Sequence, residues 1–268
     1  MPADLNELLG FAKSRIVEAG KILMHNFDNP SGVKTKDDNT LVSDADAKSS
    51  DYLSAEFQKA FPGFGLLDEE RKDDGSRFSK EYVWVIDPLD DTAGYVKYKT
   101  STFGVLIGLL RNNVPILGVT YRPAADELCF ASEKSGAYLQ HSNDNPRVLR
   151  VNPETNIDLL VSMSRSSPEF DNMIASVKPR TITRKGGSLK IIDVAKGEGT
   201  LFLCHPASTM HLWDLCGPQV ILQEAGGVLS DCDGDLIDYA QEGTANKYGV
   251  IASNGAVHQY AVDTTKYK

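Results

Sequence analysis

The chain has 268 residues, 41% hydrophobic and 24% charged, and its 28 Lys and Arg against 37 Asp and Glu leave a formal net charge of −9. That balance suits a globular protein of one large or two modest domains and excludes a disordered chain. The negative charge argues against a nucleic-acid polymer as partner, since such binders carry a basic stripe, and no apolar run reaches the ~20 residues of a membrane span.

Leu5 to Phe27 reads as a helix, with Leu5, Leu8, Leu9, Ala12, Ile16, Ala19 and Leu23 on one stripe. Asp44 to Phe61 reads as a second, capped by Ser43 or Asp44 and stopped by Pro62-Gly63. Strands are expected at Phe64–Leu67, Glu81–Ile86, Phe103–Leu110, Gly118–Tyr121 and Glu127–Ser132. In the second of these, Trp84 and Ile86 alternate with Val83 and Val85. The polar, turn-rich stretch Gln140 to Pro146 marks a boundary between two halves, 1–142 and 143–268. Beyond it, strands are expected at Leu159–Ser162 and Thr200–Cys204, and helices at Ser188–Ala195 and Leu212–Ala225, the last ended by Gly226-Gly227. Mixed helices and strands in both halves imply an α/β or α+β layered fold. The opening Met1-Pro-Ala-Asp-Leu-Asn-Glu carries acids where a targeting leader carries Arg or Lys. Four cysteines without a C-x-x-C pair are expected as free thiols, which points to a cytoplasmic protein.

The informative feature is a set of carboxylates at the ends of apolar segments, where α/β folds gather functional groups. Glu69 and Glu70 follow one strand and Asp87, Asp90 and Asp91 another, while Asp44, Asp46 and Asp214 sit at helix starts. Two carboxylates ~4 Å apart repel by about 4 kcal/mol at an effective dielectric near 20, so four in one cleft require cations or raised pKa values. Oxygen ligands favour hard ions such as Mg²⁺ or Mn²⁺. In Asp87-Pro88-Leu89-Asp90, proline stiffens the turn, both acids can face one centre and the Leu89 carbonyl can add a third oxygen. Each fragment alone has an ordinary reading, as a solvated turn or a helix-start acid; the joint pattern carries the weight.

That pattern resembles the inositol monophosphatase superfamily. The matching residues run in order along roughly residues 5 to 255: Lys36, Leu41-Val-Ser-Asp-Ala-Asp46, Leu67-Asp-Glu-Glu70, Trp84-Val-Ile-Asp-Pro-Leu-Asp-Asp-Thr92, Leu212-Trp-Asp214 and Glu224-Ala-Gly-Gly-Val-Leu229. The resemblance implies a sugar-phosphatase-like sandwich of alternating helix and sheet layers. It also implies a Mg²⁺-dependent phosphomonoesterase with two or three ions per site, Mn²⁺ being a substitute. Glu69, Asp87 and the Leu89 carbonyl would hold one ion, and Asp87, Asp90 and Asp214 a second. Thr92 with Asp46 resembles the family's water-activating dyad, and the N–H groups around Asp91 and Thr92 would meet the phosphate. Relatives often form dimers, so a homodimer is an expectation of the same kind.

Two features bear on substrate. The family's Asp-Gly-Thr is here Asp90-Asp91-Thr92, which sets a carboxylate beside a dianionic ester. Asp91 is expected to turn away and cap the next turn or to act as a further metal ligand; the alternative is a weakly active or non-catalytic phosphate-binding homologue. Second, Gly186-Gly-Ser-Leu-Lys190 resembles the Gly-Ser-x-Lys segment of the 3′(2′),5′-bisphosphate nucleotidases. Meanwhile Ala207 stands seven residues before Asp214, where inositol monophosphatases carry a Glu. Ser188 and Lys190 are therefore candidate substrate residues. The expected reaction is adenosine 3′,5′-bisphosphate to AMP and phosphate, ahead of inositol 1-phosphate and fructose 1,6-bisphosphate. Cys204, His205, His211 and Cys216 are set aside as a zinc site, and Asp231 to Asp235 as a calcium loop, because their spacings do not fit.

Overall fold

The computed structural model describes residues 4–36, 40–142, 144–163, 165–208 and 210–265. Helix α1 (Leu5–Phe27) is followed by the two-residue strands β1 (Lys34–Thr35) and β2 (Leu41–Val42), which pair antiparallel, and by α2 (Asp44–Ala60). Seven strands then build one sheet in sequence order. They are β3 (Gly65–Asp68), β4 (Tyr82–Asp90), β5 (Gly104–Arg111), β6 (Val114–Arg122), β7 (Glu127–Ser132), β8 (Ala137–Gln140) and β9 (Arg147–Val148). A second sheet, of five strands, is assembled from β10 (Asp158–Ser162), β11 (Thr181–Lys185), β12 (Leu201–Cys204), β14 (Val228–Ser230) and β16 (Val250–Ser253), in the order β11-β10-β12-β16-β14. The remaining elements are α3 (Pro168–Ser176), α4 (Lys190–Ala195), β13 (Met210–His211), α5 (Leu212–Glu224), β15 (Ala245–Asn246) and α6 (His258–Thr265).

The strands β4, β5 and β7 of the large sheet are buried on both faces, so they read as nearly continuous apolar runs. Along β4, Tyr82, Trp84 and Ile86 join the cluster under α1 and α2, while Val83 and Val85 point to the opposite cluster with Leu215, Val220 and Leu222 of α5. The small sheet shares that second cluster through Leu160 and Phe202, and its far face meets α3 and α6 through Leu159, Val161, Phe170 and Val262. The result is the expected alternation: helices, sheet, helices, sheet, helices. Each fully buried large side chain contributes about 1.5–3 kcal/mol. The middle layer lies close to the large sheet because glycine meets glycine there. A Cβ on Gly118 would stand 2.0 Å from the Gly217 carbonyl oxygen, so any side chain would push α5 and its N-terminal Asp214 away.

Sheet strand β9 pairs with β8 across the polar stretch at 140–146, so the large sheet ends at Val148 and the small one begins at Asp158. Asn143, the first residue of the expected second half, lies outside the described residues. The four cysteines are buried free thiols. No described helix is long and apolar enough to cross a membrane.

Candidate metal and phosphate site

The sequence reading ends a strand at Ile86, but β4 continues to Asp90, and its pairing with β5 explains how Asp87 and Asp90 act together. Residues three apart in a regular strand face opposite sides. Here Asp87 pairs with Leu106 and Asp90 with Gly104, so a bulge sets two residues, Pro88 and Leu89, against one, Val105, and returns Asp90 to the side of Asp87. The turn is pinned by Ser49 Oγ donating to the Pro88 carbonyl at 2.9 Å and by Leu89 N donating to Asp87 Oδ1 at 3.0 Å. Asp214 arrives on the first turn of α5, where its Oδ2 accepts from His211 N at 2.6 Å. One carboxylate oxygen from each of Asp87, Asp90 and Asp214 lies within 4.8 Å of the others.

Glu69 comes from the end of β3, its N–H donating to the Ile86 carbonyl at 3.2 Å. Lys36 donates to Glu69 at 2.8 Å and to Glu70 at 2.6 Å. Glu69, Asp87, Asp90 and Asp214 all line one cleft of about 730 Å³, together with Leu89, Asp91, Thr92, Ser188 and Lys190. Every residue expected to bind metal or substrate thus lines a single cavity, while Asp44, Asp46 and Glu70 of the acid set do not. Asp46 stands behind Thr92, whose hydroxyl donates to Asp46 Oδ1 at 3.0 Å. The other Asp46 oxygen accepts from Ser43 N at 2.8 Å and from Ser43 Oγ at 2.6 Å. Ser43, not Asp44, is the N-cap of α2, and the same capping box that starts the helix fixes the dyad's carboxylate.

The cavity lining carries five carboxylates, Glu69, Asp87, Asp90, Asp91 and Asp214, against four cations, Lys36, Lys97, Arg165 and Lys190. Burial drives the Asp87 carboxyl well above its ordinary value, and Glu69, Asp90 and Asp214 add to the shift. Asp214 moves the same way through burial and Asp90. Burial also raises Asp90, with Asp91 adding and Lys190 and the Ser188 N–H opposing. Glu69 is pushed up to about 7 by burial despite Lys36. Converging acids that resist ionisation together form a donor set of hard oxygens, which fits divalent cations such as Mg²⁺. The Cys204 thiol on the cavity wall is pushed up to about 11 by burial and is no nucleophile.

Asp91 adopts the left-handed region, φ 63°, where glycine is at home and an L residue carries strain. Its carboxylate is tied off within the chain: Oδ1 accepts from Gly94 N at 3.1 Å and Oδ2 from Thr102 Oγ1 at 2.6 Å. It caps the turn that leads into the π-helical segment Gly94–Tyr98. The space it uses exists because its neighbour is glycine, since a Cβ on Gly186 would stand 2.0 Å from Asp91 Oδ2. Ser188 Oγ is buried and has no hydrogen-bond partner among the described residues. The Lys190 ammonium is spent on the carbonyls of Lys185, Gly186 and Gly187, two of them at 3.3 Å, and it lies over the Phe202 ring. It therefore offers the cleft a charge under the loop.

Sequence reasoning did not find Ser43 and Ser49 as supports of the site, nor His211 and Arg165 on its wall. The Ser43-x-x-Asp46 and His211-x-x-Asp214 spacings were usable local signals for two of these, whereas Ser49 meets the Pro88 carbonyl 39 residues away and Arg165 acts on Asp214 through its charge. His211 and Trp213 stack at 4.5 Å along that wall. The Asp231–Asp235 segment is a turn, with Asp231 Oδ1 accepting from the N–H groups of Asp233 and Asp235 at 2.9 Å each.

Comparison with known proteins places this arrangement. The model of the inositol monophosphatase family matches residues 4–266. An inositol-1-monophosphatase of Mesorhizobium japonicum is 31% identical over 275 residues, covering 97% of this chain and 96% of that protein. The 3′(2′),5′-bisphosphate nucleotidase CysQ of Haemophilus influenzae is 29% identical over 248 residues, covering 90% of this chain and 88% of that protein. The structure of an inositol monophosphatase from Anabaena superposes with a TM-score of 0.78 at 25% identity, covering 98% of this chain and 96% of that one.

Proposed function

The chain belongs to the inositol monophosphatase family, whose members are metal-dependent phosphoric monoester hydrolases, and from that premise we propose that it hydrolyses 3′(2′),5′-bisphosphorylated nucleotides, with adenosine 3′,5′-bisphosphate giving AMP and phosphate. The observation that carries the phosphatase reading is the convergence of Asp87, Asp90 and Asp214 within 4.8 Å beside Glu69. Glu69, Asp87 and the Leu89 carbonyl would hold one Mg²⁺, and Asp87, Asp90 and Asp214 another. When bound, such ions lower the pKa of an attacking water and stabilise the charge that develops on the phosphoryl and leaving oxygens.

The chain's own residues supply the rest. Ser43 fixes Asp46, and the Thr92 hydroxyl stands 3.0 Å from Asp46 Oδ1 and 3.2 Å from the Leu89 carbonyl, with one hydrogen to donate to either; donation to Asp46 leaves its oxygen able to accept. A water beside Thr92 can then pass its proton to that oxygen as the Thr92 proton moves to Asp46. The raised pKa of Asp46, caused by burial against the opposing bonds of Ser43 and Thr92, suits it to accept a proton. The backbone at Asp91 and Thr92 faces the phosphate, and the tied-off Asp91 carboxylate leaves room for a dianion. This supports a competent phosphatase over a non-catalytic phosphate-binding protein. We assign residues 1–142 to metal binding and 143–268 to substrate choice together with Asp214.

For the substrate, Ala207 offers no carboxylate to inositol hydroxyls, while Ser188 and the charge of Lys190 suit a second phosphate at the loop 185–188. The inositol-phosphatase relatives favour inositol 1-phosphate as the second reading. Phosphate release under Mg²⁺ from adenosine 3′,5′-bisphosphate and from inositol 1-phosphate separates them. Preference for the nucleotide supports the proposal; equal or greater turnover of the inositol ester overturns the substrate assignment and leaves the phosphatase assignment intact.

A further inference from the structure

The turn that leads into α4, Ser188–Leu189, is gripped from both sides. On its N–H side, Ser188 N donates to both oxygens of Asp90, at 3.0 and 2.8 Å, and Leu189 N donates to Asp90 Oδ2 at 3.2 Å. On its carbonyl side, the Leu189 oxygen accepts from an Arg122 terminal nitrogen at 2.8 Å. The Leu189 side chain seats over Gly104, the cross-strand partner of Asp90, where a Cβ would come within 2.6 Å of it. The turn therefore rests on the same strand pair that presents the carboxylate.

Arg122 ends β6, and its guanidinium also meets Asp193 at 2.7 Å and Glu127 at 2.8 Å. Lys185 takes the second Asp193 oxygen at 2.8 Å, and Lys196 takes the second Glu127 oxygen at 2.6 Å. Buried ion pairs of this kind contribute little net stability over an apolar cluster of the same size. What the network does provide is rigidity: a planar fork hydrogen-bonded to Glu127 and the Leu189 carbonyl and in ion contact with Asp193 has one position, which a single-point ammonium would not have. We propose that Arg122 is a positioning residue for Asp90, holding the Ser188–Leu189 turn at the height from which its N–H groups set the rotation of that carboxylate. This rests on the reading of Asp90 as a metal ligand. Groups that orient a ligand from behind typically change metal affinity 10–100-fold when removed.

The test is Mn²⁺ binding to chelator-treated protein, followed by electron paramagnetic resonance, for the parent, Arg122→Gln, Arg122→Lys and Glu127→Gln, with circular dichroism to establish folding. Arg122→Lys keeps a cation for Asp193 and Glu127, so it remains informative if Arg122→Gln does not fold. Both Arg122 variants are expected to bind Mn²⁺ about tenfold more weakly, with half-maximal Mg²⁺ for activity rising in step. Glu127→Gln disturbs the same network but leaves the Leu189 contact, and is expected to stay within twofold. Affinity within twofold of the parent in a folded Arg122 variant, or an equal loss in Glu127→Gln, overturns the proposal. A parent that binds no Mn²⁺ overturns the metal reading, and the proposal with it.

Discussion

Asp87→Asn should make the metal-free protein more stable while destroying its activity. The substitution keeps the shape and keeps an oxygen for the Leu89 N–H, now 3.0 Å from Asp87 Oδ1. It removes a carboxylate lying within 4.8 Å of Asp90 and Asp214. At that separation and an effective dielectric near 20, each fully ionised pair costs about 3.5 kcal/mol. Protonation relieves part of this, as the upward shift of Asp87 shows, so the expected gain at pH 8 in chelator is about 2 kcal/mol, or roughly 5 °C in Tm. Thermal unfolding by circular dichroism measures it, with and without Mg²⁺. The parent should gain markedly on Mg²⁺ addition and the variant little, while turnover by the variant falls about 1000-fold. A variant less stable than the parent in chelator, or one stabilised equally by Mg²⁺, would refute the picture of crowded, metal-requiring acids.

Thr92→Ala should lower kcat by about 100- to 1000-fold with little change in KM, and Thr92→Ser should restore most of it, since only the hydroxyl held by Asp46 is needed; steady-state kinetics decide. Asp91→Gly should change activity less than tenfold, because the carboxylate is bonded to Gly94 N and Thr102 and not to the phosphate position; a gain of several orders of magnitude would support the weakly active reading instead. Asp91→Ala loses both bonds and keeps the positive φ, and should cost about 2 kcal/mol in urea unfolding. The metal-free protein should lose stability as pH rises from about 5 to 7. Glu69 titrates near 7 when folded against an ordinary 4.5, so the folded state binds more protons there, and each pH unit of that shift is worth about 1.4 kcal/mol. Saturating Mg²⁺ should flatten this loss, as urea unfolding at each pH will show.

The residues that report their own environment were legible in the sequence. The apolar stripe of Leu5–Phe27 gave the bounds of α1, and Glu127–Ser132 gave those of β7. The alternation in β4 correctly split Trp84 and Ile86 from Val83 and Val85, because a doubly buried strand still has two faces. Motif order named Glu69, Asp87, Asp90 and Asp214, which the structure gathers in one cleft. What period and propensity could not reveal depends on the third dimension. The bulge at Pro88–Leu89 reads locally as a strand end, since proline and a turn look the same whether or not pairing resumes beyond. Strand β11, exposed along Thr181–Arg184, and the short helix α6 carry too little pattern to stand out. Arg122 and Leu189 are 67 residues apart, and nothing near either announces the contact. The left-handed backbone of Asp91 was hinted at only by the glycine it replaces.

A crystal of the protein soaked in Mn²⁺ and measured at the manganese edge tests the central claim most directly. Anomalous peaks held by Glu69, Asp87, the Leu89 carbonyl, Asp90 and Asp214 are the predicted result. A site with those oxygens in place and no peak between them at saturating manganese would contradict it.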